Sequence, residues 1–320
     1  MNIKFQSHSI KILIVSFLLS VIYIYPLLQI EQFVGDIYKY NRDYNNLKDN
    51  FDWSKIFENY ELGFRVWGYP FAMMDITFHQ FLFITGVLFY YFTGKLIYKS
   101  SVSENKLIFY CLMLFLIPFY FAYNSLLNVV IRQSLAVIVI FAFYFPDRNR
   151  GLLYYVLVTF IASLFHASAL IFLIIYLISR LIKNMNFYIS IFLASTILYI
   201  FDIPIIFAER LNLQIVEIFF FKKNLFMFYE SGYKLGFSIL KFLATFLPII
   251  FYFLVSKKNL SQNKNWKILW QCYFFISSAG MIMSGLNYYD RILLYAWILI
   301  PILALPAIEK FLNTLKNFKK

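Results

Sequence analysis

The feature that most limits how this chain can fold is its series of long apolar blocks, separated by short charged gaps. A bilayer core is about 30 Å thick, and roughly 20 predominantly apolar residues are needed to cross it as a helix. Of the 320 residues, 62% are hydrophobic and only 14% are charged, whereas a soluble domain has about 25% charged residues. The sequence therefore predicts an all-α polytopic membrane protein. It excludes a soluble enzyme, a secreted disulfide-bonded module and a disordered chain.

The blocks predict about ten transmembrane spans. One stretch, Gly151–Leu181, is about 46 Å long as a helix, which is too long for one ordinary crossing. We interpret it as an out-and-back pair of short helices that turn at His166. The first block lacks a small-residue cleavage site and is expected to be a retained helix, not a signal peptide. The spans predicted from single blocks are Ile10–Ile30, Phe71–Gly94, Leu107–Tyr123, Val129–Phe145, Phe187–Ile203, Gly236–Ser256, Ile268–Gly285 and Ile292–Ile308.

The distribution of charge predicts the orientation of the chain. With both termini in the cytoplasm, the inner segments hold more than half of the 29 Lys and Arg residues. The acids on that side are only Glu104, Asp147 and Glu309. A single crossing at Gly151–Leu181 would put Lys257–Lys267 outside, against the positive-inside rule. The net charge of +13 is therefore mainly an orientation signal, and no nucleic-acid partner is indicated.

Two longer connections, residues 31–70 and 204–235, are then predicted to be outer loops. In the first, Asp52 is suited to cap a helix. The residues after it have the i, i+3, i+4, i+7 spacing of a short amphipathic helix: Trp53, Ile56, Phe57 and Tyr60. We expect an interfacial helix in each outer loop. Since no internal repeat is visible, residues 1–320 are predicted to form a single integral membrane domain.

The two cysteines, Cys111 and Cys272, both lie within apolar blocks. There they are expected to pack as small hydrophobic side chains. No group of candidate ligands has the spacing of a zinc site. We therefore predict no disulfide, no metal site and no cofactor.

Ionisable side chains within membrane spans are costly and are therefore the first candidates for function. In the fourth span, Asn124, Asn128 and Arg132 recur every four residues and are predicted to share one helix face. A guanidinium near the outer surface is suited to bind a phosphate or a carboxylate through paired hydrogen bonds. The alternative is an arginine that extends to the lipid headgroups.

His166 lies at the predicted turning point of the out-and-back pair. A neutral imidazole there could act as a general base or donate a hydrogen bond to a phosphate. The alternative is a structural histidine bonded to a backbone carbonyl where the helix breaks. Arg291, at the outer start of the last span, is a third candidate, and it could instead pair with Asp290 or with lipid headgroups.

Asp75 and His79 are a further candidate pair. Their i, i+4 spacing predicts that they share a helix face near the outer end of the second span. There the carboxylate could orient the imidazole for acid–base chemistry. A pair whose two members simply satisfy each other is the other interpretation.

The predicted topology brings Arg132, His166 and Arg291 to the outer side, together with both long connections. Cations, a candidate base and loops with carboxylates and aromatic side chains suit an amphiphilic substrate. Its diphosphate would lie at the membrane interface, its lipid tail in the bilayer and its polar head outside.

Several short motifs occur in an order that resembles the EpsG family of Wzy-like polysaccharide polymerases. They are Asp52-Trp53 with Tyr60-Glu61-Leu62-Gly63-Phe64, Ile131-Arg132-Gln133-Ser134-Leu135-Ala136, Phe165-His166-Ala167-Ser168-Ala169-Leu170, and Arg291. Two positions depart mildly from the family pattern. The usual small residue after the Arg-Gln pair is here Ser134, and Leu62 stands where proline is common.

The resemblance implies a metal-free enzyme of the bacterial cytoplasmic membrane that acts on undecaprenyl-diphosphate-linked oligosaccharide at the outer face. It would transfer the growing glycan from its carrier to a new repeat unit, with membrane lipid, a flippase and a chain-length regulator as further partners. The implied catalytic residues are Arg132 and Arg291, as diphosphate ligands, and His166, as base or phosphate ligand. The implied substrate-binding residues are Asn128, Gln133, Asp52, Trp53, Tyr60, Glu61 and Tyr289.

Other activities stay open on the sequence alone. A membrane acyltransferase that modifies an envelope glycan also uses intramembrane His and Arg, although those signatures normally lie early in the chain. A lipid-linked oligosaccharide flippase would be expected to show inverted repeats with Gly and Pro at matching places. A ligase would bind the same carrier as a polymerase.

Overall fold

The computed structural model of the protein describes residues 3–23, 36–49, 62–100, 122, 126, 130–145, 150–210, 235–255, 264–286 and 289–318. Within these ranges every regular element is a helix and no strand occurs, as the all-α prediction requires. The chain divides into two compact units, Met1–Leu173 and Ile174–Lys320. Each unit has its own set of packed helices.

The first unit is held together by short helices that pack between long ones. Its helices are α1 (Ile3–Tyr23), α2 (Asp36–Asp49), α3 (Leu62–Met73), α4 (Phe78–Ser100), α5 (Ile131–Val139) and α6 (Leu152–Phe165). A π-helical turn (Ile140–Tyr144) continues α5, and a 3₁₀ turn (Ala167–Leu170) leads from α6 towards α7 (Ile171–Leu181). α1 packs against α4, α5 packs against α4 and α6, and α3 packs against α2 and α6. The helix α3 therefore bridges the first long connection and a membrane helix.

The second unit is built around one long helix, α12. Its helices are α8 (Met185–Ile200), α9 (Ile203–Arg210), α10 (Ile239–Phe246), α11 (Ile249–Leu254), α12 (Lys264–Ile282), α13 (Asp290–Trp297) and α14 (Ile300–Phe318). α12 packs against α8 and α13. Gly280 lets α12 and α13 approach closely, because a Cβ there would lie 2.5 Å from Leu293 Cδ2. Small residues commonly serve this purpose between membrane helices.

Thr245 fixes α10 against two neighbouring helices of the second unit. Trp297 Nε1, from α13, donates a hydrogen bond to Thr245 Oγ1 at 2.9 Å. Tyr273 Oη, from α12, donates to the backbone oxygen of Thr245 at 2.5 Å. Side-chain hydrogen bonds between membrane helices add to van der Waals packing because lipid offers no competing partner. The register of α10 against α13 is thereby set.

Three stretches of described helix are long and apolar enough to cross a membrane: Phe78–Lys99, Trp266–Gly285 and Asp290–Ile308. Shorter apolar helices cover Ser9–Ile22, Ile131–Tyr144, Leu152–Phe165, Ala167–Leu181, Met185–Ile200 and Ile239–Leu254. The span predicted at Leu107–Tyr123 lies outside the described residues, apart from Ala122. The helical membrane protein expected from the sequence is confirmed, while the number of ten spans stays a prediction.

The outward face of α6 shows why this fold needs a membrane. Its large apolar side chains are between 46% and 71% exposed: Leu153, Leu157, Phe160 and Ile161. They follow the spacing of one helix face, opposite the buried residues of the same helix. Lipid tails are as apolar as these side chains, so the stripe is stable in a bilayer and unfavourable in water.

The second predicted span, Phe71–Gly94, is not one helix. α3 ends at Met73 and α4 starts at Phe78. Between them Asp75 has φ 58°, in the left-handed region that aspartate tolerates better than most residues. Asp75 and His79 therefore do not share a helix face, and the prediction that they do is wrong. The spacing argument fails because it requires one uninterrupted helix.

The fourth predicted span is also interrupted. Val130 has φ −121° and ψ 60°, outside the helical region, so α5 starts at Ile131. Asn124 and Asn128 lie outside the described residues, so the helix face that they are predicted to share with Arg132 stays a prediction. Arg132 is in the first turn of a helix, where backbone N–H groups and the helix dipole favour anions.

The predicted turn at His166 is present. Its backbone is extended, with φ −154° and ψ 114°, and α6 ends just before it. The rings of Tyr155 and Phe172 lie 5.3 and 5.4 Å from the ring of Tyr144. A straight helix would separate positions 155 and 172 by about 26 Å, which these two contacts exclude. The chain therefore reverses direction here, and two short helices replace one long crossing.

Candidate functional site

The guanidinium of Arg132 lies over the face of a tyrosine ring. Its Cζ is 4.4 Å from the ring centroid of Tyr40, well within the range of a cation–π contact. Arg132 is half-buried, and Tyr40 is 1% exposed. Because Tyr40 belongs to α2, a helix of the first long connection reaches the start of α5. The connection thus forms part of the surroundings of Arg132.

The helix α2 lies at a place where no helix is predicted. Its buried side chains, Tyr40, Tyr44 and Leu47, follow the i, i+4, i+7 spacing of an amphipathic helix. That spacing is visible in the sequence and could have identified the helix. The interfacial helix predicted after Asp52 lies outside the described residues.

Tyr44 anchors α2 to the loop between α3 and α4. Its Oη donates a hydrogen bond to the backbone oxygen of Ile76 at 2.8 Å. Its ring lies 5.6 Å from that of Phe78 and 5.0 Å from that of Phe81. Burial raises the pKa of Tyr44 to about 12, because the charged phenolate is disfavoured away from water. The tyrosine therefore stays a neutral donor, and α2 is fixed one turn beyond Tyr40.

Gly63 brings two of the sequence motifs into contact. A Cβ at this position would lie 2.7 Å from the carbonyl carbon of Leu164 and 2.8 Å from the backbone nitrogen of Phe165. α3 therefore lies directly on the backbone of the last turn of α6, where only glycine fits without a backbone shift. Since His166 follows that turn, Gly63 helps to set the position of the histidine.

Phe64 connects the same segment of α3 to the surroundings of Arg132. Its ring lies 5.7 Å from the ring of Tyr40 and 5.8 Å from the ring of Phe81. Tyr40 in turn lies under the guanidinium of Arg132. Two consecutive residues of α3, Gly63 and Phe64, therefore contact the last turn before His166 and the tyrosine that lies under Arg132.

His166 is half-buried, and its Nδ1 lies 2.5 Å from Ser168 Oγ. If Nδ1–H donates to the serine, Nε2 carries a lone pair and can act as a base. If the serine donates, Nε2–H is a hydrogen-bond donor for a phosphate. The hydrogen bond to Ser168 is therefore compatible with both roles that the sequence predicts for His166.

The other predicted site residues of the first unit are placed in part. Gln133 is fully buried in the first turn of α5, next to Arg132. The remaining ones lie outside the described residues: Asp52, Trp53, Tyr60, Glu61 and Asn128. Their contacts with a substrate stay predictions.

In the second unit, Arg291 is the second residue of α13 and is half-buried. Tyr289 precedes the helix and is 1% exposed. Its Oη donates to the backbone oxygen of Gly236 at 2.8 Å and lies 3.2 Å from Tyr199 Oη. Because the Tyr289 proton is used on Gly236, Tyr199 Oη donates to Tyr289, and it accepts from the backbone N–H of Ser238 at 3.0 Å. This chain of hydrogen bonds fixes the position of the Tyr289 hydroxyl.

Lys241, in the first turn of α10, holds the start of α13. Its Nζ lies 4.2 Å from the ring centroid of Tyr289 and 3.6 Å from Asp290 Oδ2. Asp290, the alternative partner considered for Arg291, is thus in an ion pair with this lysine. A single lysine in an apolar block is a functional candidate for the same reason as Arg132, because a charge within a membrane span is costly. This signal could have identified Lys241 from the sequence.

The second long connection, residues 204–235, is closed at its base. Asp202 and Gly236, on either side of it, both have positive φ, at 53° and 73°. Asp202 Oδ1 accepts a hydrogen bond from the backbone N–H of Phe237 at 2.6 Å. A Cβ at Gly236 would lie 2.4 Å from the same oxygen. The residues on either side of this connection therefore contact each other.

Metal binding has no candidate in the described part of the chain. Among those residues no three His, Cys, Asp or Glu side chains lie close enough to hold a metal ion. Cys272 is fully buried in α12, as expected for a small hydrophobic side chain, and Cys111 lies outside the described residues.

The residues placed by this geometry fall within a match to a known family. A model of the EpsG family matches residues 10–318, a range that includes Gly63, Arg132, His166 and Arg291. No curated protein and no solved structure matches the chain. The family match extends over most of both units, as the motifs alone did not. The chain belongs to the EpsG family.

Proposed function

We propose that this protein is a polysaccharide polymerase that joins undecaprenyl-diphosphate-linked oligosaccharide repeat units at the outer face of the bacterial cytoplasmic membrane. Its family indicates a polysaccharide polymerase-like membrane protein with a lipid-linked saccharide substrate. The observation that carries the finer proposal is the setting of Arg132. Its stacked guanidinium lies at the start of a membrane helix and is connected through Tyr40 and α3 to the segment that holds His166.

In the proposed reaction, a hydroxyl group of the new repeat unit attacks the anomeric carbon of the growing glycan. A C–O bond forms, and the bond between the anomeric carbon and the diphosphate oxygen breaks. Undecaprenyl diphosphate leaves with the bonding electron pair, and the hydroxyl proton passes to a base. Negative charge therefore grows on the diphosphate while a proton is removed from the acceptor.

Arg132 is proposed to stabilise the charge on the leaving diphosphate. A guanidinium can donate two parallel hydrogen bonds to a phosphate, and the N-terminal end of α5 adds the positive end of the helix dipole. Such preorganised groups act strongly where water is excluded, and the loss of one donor typically slows a reaction about 100-fold or more.

His166 is proposed to accept the proton of the acceptor hydroxyl. With Nδ1–H bonded to Ser168, the lone pair is on Nε2, which is then the basic atom. The alternative, a second phosphate ligand, requires the opposite tautomer with the serine as donor. The hydrogen bond between His166 and Ser168 supports either role by holding the ring in one orientation.

Arg291 is proposed as a further diphosphate ligand. It is the second residue of α13, as Arg132 is the second residue of α5. In the predicted topology, with both chain termini in the cytoplasm, both helices start at the outer side of the membrane. The same proposal includes a flippase that supplies the substrate and a chain-length regulator. The predicted substrate contacts that belong to it are Asn128, Gln133, Asp52, Trp53, Tyr60, Glu61 and Tyr289.

The test is Arg132→Ala in the source bacterium, read out on a gel of surface glycan. We expect a single capped repeat in place of a ladder, since a loss of about 100-fold or more leaves too little chain extension to detect. The matched variant is Arg132→Lys, which keeps the charge but not the planar pair of donors, and it should also be strongly impaired. Immunoblots of membranes must show normal insertion of both variants.

A normal ladder from inserted Arg132→Ala protein contradicts the proposal. Two other patterns in a deletion strain would assign a different activity. A ladder that is complete but not attached to its final acceptor indicates a ligase. Loss of acyl groups from a polymer of normal length indicates an acyltransferase.

A further inference from the structure

The ring of Tyr40 and the guanidinium of Arg132 form one structural element built from two distant parts of the chain. Tyr40 is 1% exposed and lies in α2, and Arg132 is half-buried in the first turn of α5. The distance from Cζ to the ring centroid is 4.4 Å. A tyrosine in the first long connection therefore contacts the side chain on which the proposed function depends.

The physical effect of this contact is to orient the guanidinium. A cation–π contact uses the face of the guanidinium group, whereas its N–H donors all lie in its plane. Stacking on Tyr40 therefore restricts the plane without using the donors for that contact. A phosphate that approaches in the plane can then be bound by two N–H groups at once, with little orientational freedom left to lose.

Tyr40 can act in this way because it is itself held rigidly. Its ring packs on Phe64 at 5.7 Å. One turn further along α2, Tyr44 donates a hydrogen bond to Ile76 and packs on Phe81. The support of the arginine thus extends from α2 into α3 and α4, so the ring cannot move away without disturbing several contacts.

We propose that Tyr40 is a positioning residue that aligns the Arg132 guanidinium with the diphosphate of the lipid carrier. This inference rests on the proposed function, in which Arg132 binds that group. It makes the first long connection part of the diphosphate site.

The experiment measures binding of farnesyl diphosphate, a short polyprenyl diphosphate, to the full-length protein in detergent. Tyr40→Leu removes the aromatic face and keeps an apolar side chain, and Tyr40→Phe keeps the face. We expect about a tenfold weaker affinity for Tyr40→Leu and a change of less than about twofold for Tyr40→Phe. The packing control is Tyr155→Leu, which also removes a buried ring of the first unit, one that packs on Tyr144. It should lower thermal stability without changing the affinity.

The decisive step is to repeat Tyr40→Leu in an Arg132→Ala background. If Tyr40 acts through Arg132, the double variant binds no more weakly than Arg132→Ala alone. Additive losses would overturn the positioning role, because they require an effect of Tyr40 that is independent of the arginine. Wild-type affinity of Tyr40→Leu, with weakened Arg132→Ala, would overturn it as well and leave the proposed function standing. Normal binding by Arg132→Ala would instead contradict the proposed function itself.

Discussion

Each unit has a cation over a buried tyrosine at the start of an apolar helix, but the two arrangements differ in what surrounds the charge. In the first unit the cation is Arg132, from α5 itself, and Tyr40 comes from α2. In the second unit the ring is Tyr289, at the start of α13, and the cation is Lys241 from α10. Lys241 also lies 3.6 Å from the carboxylate of Asp290.

The difference concerns the charge that each cation can offer to a ligand. An aromatic ring attracts a cation through its quadrupole and has no net charge, so a stacked guanidinium keeps its positive charge towards an arriving anion. A carboxylate, by contrast, has a negative charge that offsets the positive charge of its partner. The ring contact thus leaves the charge of Arg132 in place, whereas the carboxylate contact offsets the charge of Lys241 and holds α10 against α13. A cation over a tyrosine ring can therefore have different surroundings in the two units.

The largest expected effect comes from breaking the support of the first unit at Gly63. In Gly63→Ala the new Cβ would meet the backbone of Leu164 at 2.7 Å, which cannot yield as a side chain can. We expect a loss of about 1–3 kcal/mol in the free energy of unfolding and loss of the glycan ladder, because the segment before His166 is displaced. Thermal unfolding in detergent and the surface glycan gel measure the two effects.

The matched control is Gly68→Ala in the same helix. Its Cβ would lie 3.4 Å from the nearest atoms, on the side chains of Leu47 and Tyr44. Both substitutions gain about 1 kcal/mol of helix propensity, so only the contact with the backbone of α6 separates them. Equal behaviour of the two variants would show that the approach of α3 to α6 does not matter for activity.

A smaller effect is expected from Lys241→Met in the second unit. The ion pair with Asp290 is partly exposed, with side-chain exposures of 23% and 32%, so its loss should reduce the free energy of unfolding by about 1 kcal/mol or less. We expect the glycan ladder to persist. Asp290→Asn should have the same small effect. The double substitution should add little, because each single substitution already removes the same ion pair. Loss of the ladder in Lys241→Met would break the contrast and group Lys241 with the diphosphate ligands.

A comparably small effect concerns the anchor of α2. Tyr44→Phe removes the hydrogen bond to Ile76 and should reduce the free energy of unfolding by about 1 kcal/mol near neutral pH. The folded-state pKa of about 12 lies above the ordinary value of 10.0. Between these pH values the unfolded chain has lost the proton that the folded protein retains, so this stabilising contribution is complete below pH 10 and is lost as the pH rises through 12.

The stability difference between the wild type and Tyr44→Phe should therefore narrow over that pH range. Thermal unfolding midpoints measured from pH 9 to pH 12 check this. Curves that stay parallel would show that the Tyr44 hydroxyl is not buried in the folded protein. The hydrogen bond to Ile76 would then not anchor α2.

The sequence predicted well whatever depends on local composition. The membrane class follows from apolar blocks, and the turn at His166 follows from a stretch too long for one crossing. Arg132 was identified because a cation in an apolar block is costly. The motif around Gly63 is recognisable in the sequence as a pattern. The sequence does not show why a glycine is needed there, which is the contact with the backbone of Leu164.

The predictions that failed depend on the backbone angles of single residues. Asp75 at φ 58° and Val130 at ψ 60° interrupt helices that periodicity alone would continue. Such angles are sparsely populated by non-glycine residues, and packing around the break decides whether they occur. A spacing argument across Asp75 therefore places Asp75 and His79 on a helix face that does not exist.

The amino-acid order by itself determined that this chain is a helical membrane protein of the EpsG family. The free energy of transfer into lipid depends on the composition of a continuous segment, and a short motif consists of neighbouring residues. Only the tertiary structure decided that Tyr40 lies under Arg132 and that Lys241 joins Tyr289 and Asp290. These partners are far apart in the chain, and cation–π contacts act over only about 6 Å. They form because packing of the whole unit brings the side chains together, and no local pattern encodes that approach.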